Sequence, residues 1–312
     1  MTRSTQNLTS LFGMIETRRP AGSKSERAWI RQHLIPLGVD QDALGNVYKR
    51  IGGAPILWSS HTDTVHRAGG RQRVCLTGDT LSVTGSNCLG ADNTAGVWLM
   101  CEMIRASVPG LYVFHRSEEE GGIGSGFIAK ETPELVEGIR AAIAFDRRGT
   151  QSIITHQWAG RSCSDAFGHS LAATLDMDMH LDTGGTFTDT ASYVDLIGEC
   201  TNVSAGFTHE HSTAETLSVS HLVKLREALL SADFSQLVFS REPGAPDPDE
   251  ITWTDHYDNT ARGWDQFDND NPWPTSLARI VRDDPDAVAD WLENFGVSAN
   301  ELADAIYQRR WQ

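Results

Sequence analysis

His61 stands at the end of the apolar run Ile56-Leu57-Trp58, separated from it by two serines, and Asp63 follows two residues later. The same arrangement recurs along the chain. Leu111-Tyr112-Val113-Phe114 runs through His-Arg-Ser into Glu118, Glu119 and Glu120, and the apolar run 141–145 stops at Asp146. The run 203–207 stops before His209 and His211, and Asp92 sits in Leu89-Gly90-Ala91-Asp92-Asn93, between a glycine turn and the start of a helical pattern. Imidazole nitrogen and carboxylate oxygen are the donors a zinc-like divalent ion takes, and a reactive site built from them keeps one position open for water. Two such ions about 3.5–4 Å apart need a carboxylate to bridge them. His61, Asp92, Glu119, Asp146 and His211 form the candidate metal-ligating set. Taken singly, each has a plainer reading. Asp92 could be an N-cap, the acidic run a solvated face, and His61 with Asp63 an exposed strand-end pair. Three acids wedged between Leu-Tyr-Val-Phe and Gly121-Gly122 fit a solvated face poorly, since the glycines let backbone approach closely. His61 and Asp63, two apart in extended chain, project to the same side, where Asp63 can accept the second ring N–H and fix the tautomer.

These groups need elements to carry them. Residues 7 to about 37 read as helix interrupted near Pro20-Ala-Gly-Ser23, with Ser23 or Ser25 capping the second piece. Gly45-Asn46 and Gly52-Gly53 punctuate a strand pair, 47–51 and 56–60. Apolar runs of four to six residues fit strands of a sheet covered on both faces, and residues 94–104 and 218–230 are amphipathic enough to cover it. The expected fold is therefore α/β: three αβα layers around a mostly parallel, mixed central sheet, with a small α-helical C-terminal extension. Ligands of open α/β sheets bind outside the carboxyl ends of the strands, so four polar clusters at strand exits predict one shared pocket.

Composition narrows the partners. The chain has 312 residues, 39% hydrophobic and 22% charged, as in a soluble globular protein. A formal net charge of -16 argues against nucleic acid, whose phosphates require clustered Lys and Arg. No run approaches the ~20 apolar residues of a membrane span, and the N-terminus lacks an apolar leader core. The five cysteines are scattered and never spaced as CxxC, which predicts a reducing, cytoplasmic setting. After Arg241 the composition shifts. Residues 242–275 hold nine Asp/Glu against one Arg, with five prolines and five aromatics, which reads as a linker or irregular arm. Short helices are expected at 286–295 and 299–308, the second with a Ser298–Glu301 capping box. The expected organisation is a catalytic domain over 1–241, an acidic Pro/Trp-rich arm over 242–283 and a two-helix extension over 284–312.

Five segments occur in a telling order: SHTDTV at Ser60–Val65, LGADN at Leu89–Asn93, EEEGGIGS at Glu118–Ser125, FDRRG at Phe145–Gly149 and HST-x-E at His211–Glu215. Together they resemble the co-catalytic dizinc exopeptidases, the clan of the M20 and M28 metallopeptidases and their deacylase relatives, over about residues 7 to 232. The resemblance implies a zinc exopeptidase-like fold and two divalent ions, zinc first, with manganese or cobalt as alternatives. It assigns His61, Asp92 and Asp146 to one ion and Asp92, Glu119 and His211 to the other, with Asp92 bridging and Glu118 as general base. It also implies a cis peptide at Asp92–Asn93, and it selects His211 over His209, leaving His209 as a pocket or exposed residue. Only 64 residues separate Asp146 from His211, too few for the M20 lid domain, so the layout resembles M28. The lid residue that stabilises the oxyanion then needs a replacement, for which His156, Arg161, Tyr193 and His209 are candidates. Asp189, after Gly184-Gly185-Thr186, is a second-shell carboxylate or a turn residue. Arg147, beside Arg148, either binds a substrate carboxylate bidentately or makes surface ion pairs. The implied activity is hydrolysis of a peptide or small amide, most simply by an aminopeptidase, with an N-acyl amino acid deacylase as rival and a homo-oligomer left open. A reading of another class is a silent scaffold that binds a partner through the acidic arm.

Overall fold

The structure is a computed structural model describing residues 3–158, 160–246 and 288–289. It opens with α1 (Arg3–Ile15) and α2 (Lys24–His33). The break between them spans residues 16–23, wider than the sequence suggests. Ser23, not Ser25, caps α2, its hydroxyl accepting from the Glu26 amide at 3.0 Å.

The strands that follow are β1 (Val47–Ile51), β2 (Ile56–His61), β3 (Arg73–Thr77), β4 (Thr80–Thr84), β5 (Gly110–His115), β6 (Ala141–Arg147), β7 (Ser152–Ile154), β8 (His180–Asp182), β9 (Glu199–Ser204), β10 (Phe207–Thr208) and β11 (Thr216–Ser218). Between and after them come α3 (Ala91–Arg105), α4 (Ile123–Glu131), α5 (Asp165–Leu175) and α6 (Val219–Ser231). The central sheet runs β8-β7-β9-β6-β2-β5-β1, with the short strand Asp40–Gln41 at the β1 edge. β9, β6, β2 and β5 are mutually parallel, while β1 lies antiparallel to β5 and β7 antiparallel to β9. This is the mixed, mostly parallel α/β sheet expected.

Two apolar layers explain why its strands read as unbroken apolar runs. Ile56, Trp58, Tyr112, Phe114, Ile143 and Phe145 pack on one face with α1, α3, α5 and α6. Leu57, Leu111, Val113 and Ala142 point to the other face, under α4 and the 3-10 helices Pro133–Val136 and Asp189–Tyr193. α3 is the innermost helix, with every residue from Ala91 to Ile104 buried. Gly96 makes its close approach feasible: a Cβ there would lie 2.4 Å from both the Phe145 carbonyl oxygen and Ser60 Oγ.

Two expectations change. Residues 47–51 and 56–61 do not pair, because β5 lies between β1 and β2. The run 203–207 is not one strand either. β9 is Glu199–Ser204, polar in sequence yet buried throughout, and the chain turns at Gly206 (φ 93°) before β10 joins a separate antiparallel sheet, β10-β11-β4-β3. That second sheet has no clear signature in the apolar pattern, since β3 and β4 are largely exposed or half-buried.

Residues 240–245 lie against the body: the amides of Ser240 and Arg241 each donate to Glu199 at 2.8 Å, and Gly244 N–H donates to the Val194 carbonyl at 2.8 Å. The acidic arm beyond residue 246, the Ser298–Glu301 capping box and the helix expected at 299–308 lie outside the described residues. Of the helix expected at 286–295, residues 288–289 are described, and they are helical. Among the described residues no helix is long and apolar enough to cross a membrane.

Candidate metal centre

The carboxyl ends of β2, β5 and β6 converge with two loops. His61 is the last residue of β2, and Asp146 is the last but one of β6. Glu118 and Glu119 occupy the turn after β5, and His211 lies in the loop from β10 to β11 with φ 63°. Asp92 is the second residue of α3, where the Asp92–Asn93 peptide is cis and the dihedrals depart from helical values. Gly90 precedes it in the left-handed region (φ 71°), a conformation that swings the carboxylate in from the helix start.

The five side chains fall into two clusters that share Asp92, and a third grouping, His61 with Glu118 and Glu119, overlaps both. Asp92 Oδ1 lies 3.0 Å from His61 Nε2, which is also 3.4 Å from Asp146 Oδ1. Asp92 Oδ2 lies 3.3 Å from His211 Nε2, which is also 3.1 Å from Glu119 Oε2. One carboxylate thus turns one oxygen to each imidazole. Donor atoms about 2.0–2.2 Å from a common ion at tetrahedral angles would stand roughly 3.3–3.6 Å apart, within a few tenths of an ångström of these spacings. Asp146 Oδ1 and Glu119 Oε1 are buried with no hydrogen-bond partner among the described residues, as befits oxygens left for a cation. The donor set fits divalent metal.

The electrostatics point the same way. Burial opposes ionisation of Asp92, but the His211 and His61 imidazoles outweigh it and hold the carboxyl well below the usual range. Burial, then the Asp92 charge, pushes Asp146 up to about 7; burial first, then Asp92, also raises Glu119. Glu118 is raised well above the carboxylate norm, burial being the largest cause. Burial disfavours charge on His211, yet Asp92 and Glu119 push it up to about 11. Four carboxylates against two imidazoles leave negative charge that bound cations would offset.

Further contacts hold these groups in place. The Asp63 carbonyl lies 3.1 Å from His61 Nδ1 and its Oδ1 3.4 Å from the same atom. Its carboxylate also accepts the Glu118 and Glu119 amides at 3.1 and 3.2 Å, so Asp63 fixes the acidic turn as well as the imidazole. Asp146 receives the Thr188 hydroxyl at 2.7 Å, while its amide donates to Asn202 Oδ1 at 2.8 Å. Glu215 is buried, and its carboxylate accepts the amides of Leu89 (2.7 Å), Gly90 (2.8 Å) and Asp92 (3.0 Å). It therefore ties the His211 loop to the turn that presents Asp92. Sequence reasoning placed Glu215 in a motif but gave it no task, and it passed over Thr188 and Asn202. No local signal marks Asn202, because the strand that buries it is polar in sequence.

The other candidates are distributed less tightly. His209 is exposed and belongs to neither cluster, its carbonyl accepting from Ser212 Oγ. Asp189 is buried but faces His115, 3.2 Å from Nδ1, while its neighbour Thr188 is the one that reaches Asp146. Arg147 is held by Asp182 at 3.0 Å and Arg148 by Glu210 at 3.3 Å. Both arginines line a cavity of about 100 Å³ with Asp92, Glu118, Asp146 and His211. Of the four oxyanion candidates, none lines this cavity: Tyr193 is buried against His115 at 2.7 Å, and Arg161 engages Asp165. Gln157 and Asn202 are uncharged polar residues that do.

No family model and no curated protein sequence matches the chain. Solved structures do. The aminopeptidase PepT from Bacillus cereus superposes with a TM-score of 0.60 at 14% identity, over 73% of this chain and 97% of that one. A tripeptidase from Staphylococcus aureus gives 0.61 at 13%, over 74% and 97%. The Pyrococcus horikoshii TET1 peptidase, described as assembling into a tetrahedron or a large octahedral shell, gives 0.56 at 15%, over 72% and 98%. The likeness is one of fold. This chain shares its α/β layering with aminopeptidases.

Proposed function

We propose that this chain is a two-metal hydrolase of the co-catalytic exopeptidase clan, compact in the M28 manner, that cleaves a peptide or small amide and acts most simply as an aminopeptidase. The observation that carries the reading is Asp92, one oxygen toward His61 and Asp146, the other toward His211 and Glu119. His61, Asp92 and Asp146 would hold one ion, and Asp92, Glu119 and His211 the other. Zinc suits the nitrogen and oxygen donors, with manganese or cobalt as substitutes. Bound there, the ions would lower the pKa of a water and polarise the scissile carbonyl.

The chain's own residues do the rest. Glu118 Oε2 lies 3.9 Å from His61 Nε2 and its side chain lines the cavity; burial raises its pKa, and the charge of bound cations would return it to the carboxylate that a general base requires. It takes a proton from the attacking water and returns it to the leaving amine. Asp63 holds the Glu118 amide and so the angle at which the carboxylate enters. Arg147, braced by Asp182 on the cavity wall, is placed to meet a substrate carboxylate. Five unpaired cysteines support a reducing compartment, and the fold shared with a shell-forming peptidase supports a homo-oligomer.

The deciding experiment is a substrate panel of aminoacyl-anilides and small peptides against N-acyl amino acids, with zinc, manganese or cobalt supplied. Cleavage of the first group supports an aminopeptidase. Turnover of N-acyl amino acids alone would transfer the same centre to a deacylase.

A further inference from the structure

We propose that Arg19 is a positioning residue of the metal centre: its guanidinium presets the separation of the His61 and Asp92 segments and so governs one ion position more than the other. The inference rests on the two-ion reading above. Arg19 follows α1 and is fully buried. Its Nε–H donates to the Thr62 carbonyl at 2.9 Å, and Nη2 donates to Thr94 Oγ1 at 2.9 Å. Nη1 donates to the carbonyls of Thr17 at 3.1 Å and Met14 at 3.4 Å, which anchors the fork to the N-terminal segment. The backbone doubles the tie: Arg19 N–H donates to Thr64 Oγ1 at 3.2 Å, and Thr64 N–H to the Arg19 carbonyl at 2.9 Å. The guanidinium carbon also sits 4.1 Å from the centroid of the Trp29 ring.

Thr62 lies between His61 and Asp63, and Thr94 is two residues past Asp92. One planar fork therefore spans the two segments that supply His61 and Asp92. None of its hydrogen bonds goes to the Glu119 or His211 segments. Among the described residues no carboxylate lies within ion-pair distance of the guanidinium, so the cation is not buried to complete a salt bridge. A buried cation without a touching counter-charge costs stability, and an apolar side chain would fill the same space more cheaply. The rigid five-donor fork offers what an apolar group does not, namely fixed distances between chain segments far apart in sequence. Glu215 braces the Asp92 turn that both positions share, whereas Arg19 ties that turn to the His61 segment alone. Arg19 should thus bear chiefly on the His61–Asp92–Asp146 position.

The test is zinc titration of the metal-free full-length protein against a chromophoric chelator, resolving the two binding steps. Loss of such outer partners costs roughly 10- to 100-fold in metal affinity. Arg19→Met should weaken one step by that factor while the other shifts by roughly threefold or less. Thr94→Val, which removes the hydroxyl that receives Nη2 and donates to the Gly90 carbonyl, should move the same step by a smaller factor, and Thr94→Ser, which keeps both bonds, should match the wild type. Equal weakening of both steps in Arg19→Met, or no change in either, would overturn the proposal. Should Arg19→Met fail to fold, Thr94→Val decides, and unaltered steps there would overturn it. A wild-type protein that binds fewer than two ions would instead condemn the two-ion reading itself.

Discussion

Glu215→Gln is the substitution whose cost follows most directly from the geometry around Asp92. The wild-type carboxylate takes three backbone donors: Oε2 receives Leu89 and Gly90 at 2.7 and 2.8 Å, and Oε1 receives Asp92 at 3.0 Å. An amide keeps one oxygen. Its better orientation leaves that oxygen to Leu89 and Gly90 and sets an NH2 against the Asp92 N–H, donor facing donor. Two charge-assisted bonds fall from about 1.5–3 to about 0.5–1.5 kcal/mol each, and one buried donor is left unsatisfied at about 1–3 kcal/mol. Burial already raises the Glu215 pKa to about 7, so removing the carboxylate returns part of that loss. A net destabilisation of about 1–3 kcal/mol remains. Because the strained contact falls on the shared ligand, both ion positions should weaken, by roughly 10- to 100-fold. Urea unfolding of the metal-free protein, followed by chelator competition, measures both quantities. A variant within about 0.5 kcal/mol of wild type, with unaltered metal binding, would refute the assignment of Glu215 as the clamp on the Asp92 turn.

Replacing Glu118 with Ala should lower kcat by roughly 100- to 10,000-fold while metal content stays near that of wild type; retained turnover would remove Glu118 as the base. Gly96→Ala places a Cβ 2.4 Å from the Phe145 carbonyl oxygen and Ser60 Oγ, so overpacking should cost about 1–3 kcal/mol in thermal or urea unfolding. His66 supplies a pH dependence. Burial, with Arg19 nearby, pushes its imidazole down to about 4 despite the hydrogen bond to Gln72. Thr64 Oγ1 lies 2.7 Å from Nδ1 and Gln72 Oε1 2.9 Å from Nε2, an arrangement that suits the neutral ring. A base whose folded pKa lies below its unfolded value of about 6.5 contributes stability above pH 6.5 and loses it as pH falls toward 4. Between pH 7 and pH 5 the loss is about 2 kcal/mol, so metal-free His66→Gln should lose that much less than wild type over the interval; equal losses would contradict the shift.

Much of the fold was legible because apolar runs that fill both faces of a sheet have few other uses. β2, β5 and β6 are such runs, and their polar exits mark the carboxyl edge where the candidate ligands meet. β9 escaped because Glu199, Thr201 and Asn202 are buried through partners elsewhere in the chain, which local hydropathy does not register. The β1–β2 pairing misled for a related reason: a nearby strand is the natural guess, whereas β5 enters between them from some fifty residues on. Around the centre, the motifs named donors that lie close together, and of the two histidines it is His211 that stands beside Asp92 and Glu119. The residues that hold those donors left fainter traces. Arg19 reaches Thr62 and Thr94 across 43 and 75 residues, a relation no spacing rule contains. Asp189 attracted attention by its glycine-rich context, yet its neighbour Thr188 makes the contact, because the two side chains leave the backbone in different directions.

The most direct test of the central claim is a crystal structure of the zinc-loaded protein with anomalous data at the zinc edge. Two peaks about 3.5–4 Å apart, with Asp92 bridging them, His61 and Asp146 on one and Glu119 and His211 on the other, are the expected result. A single peak away from Asp92, or none with zinc at saturating concentration, would contradict it.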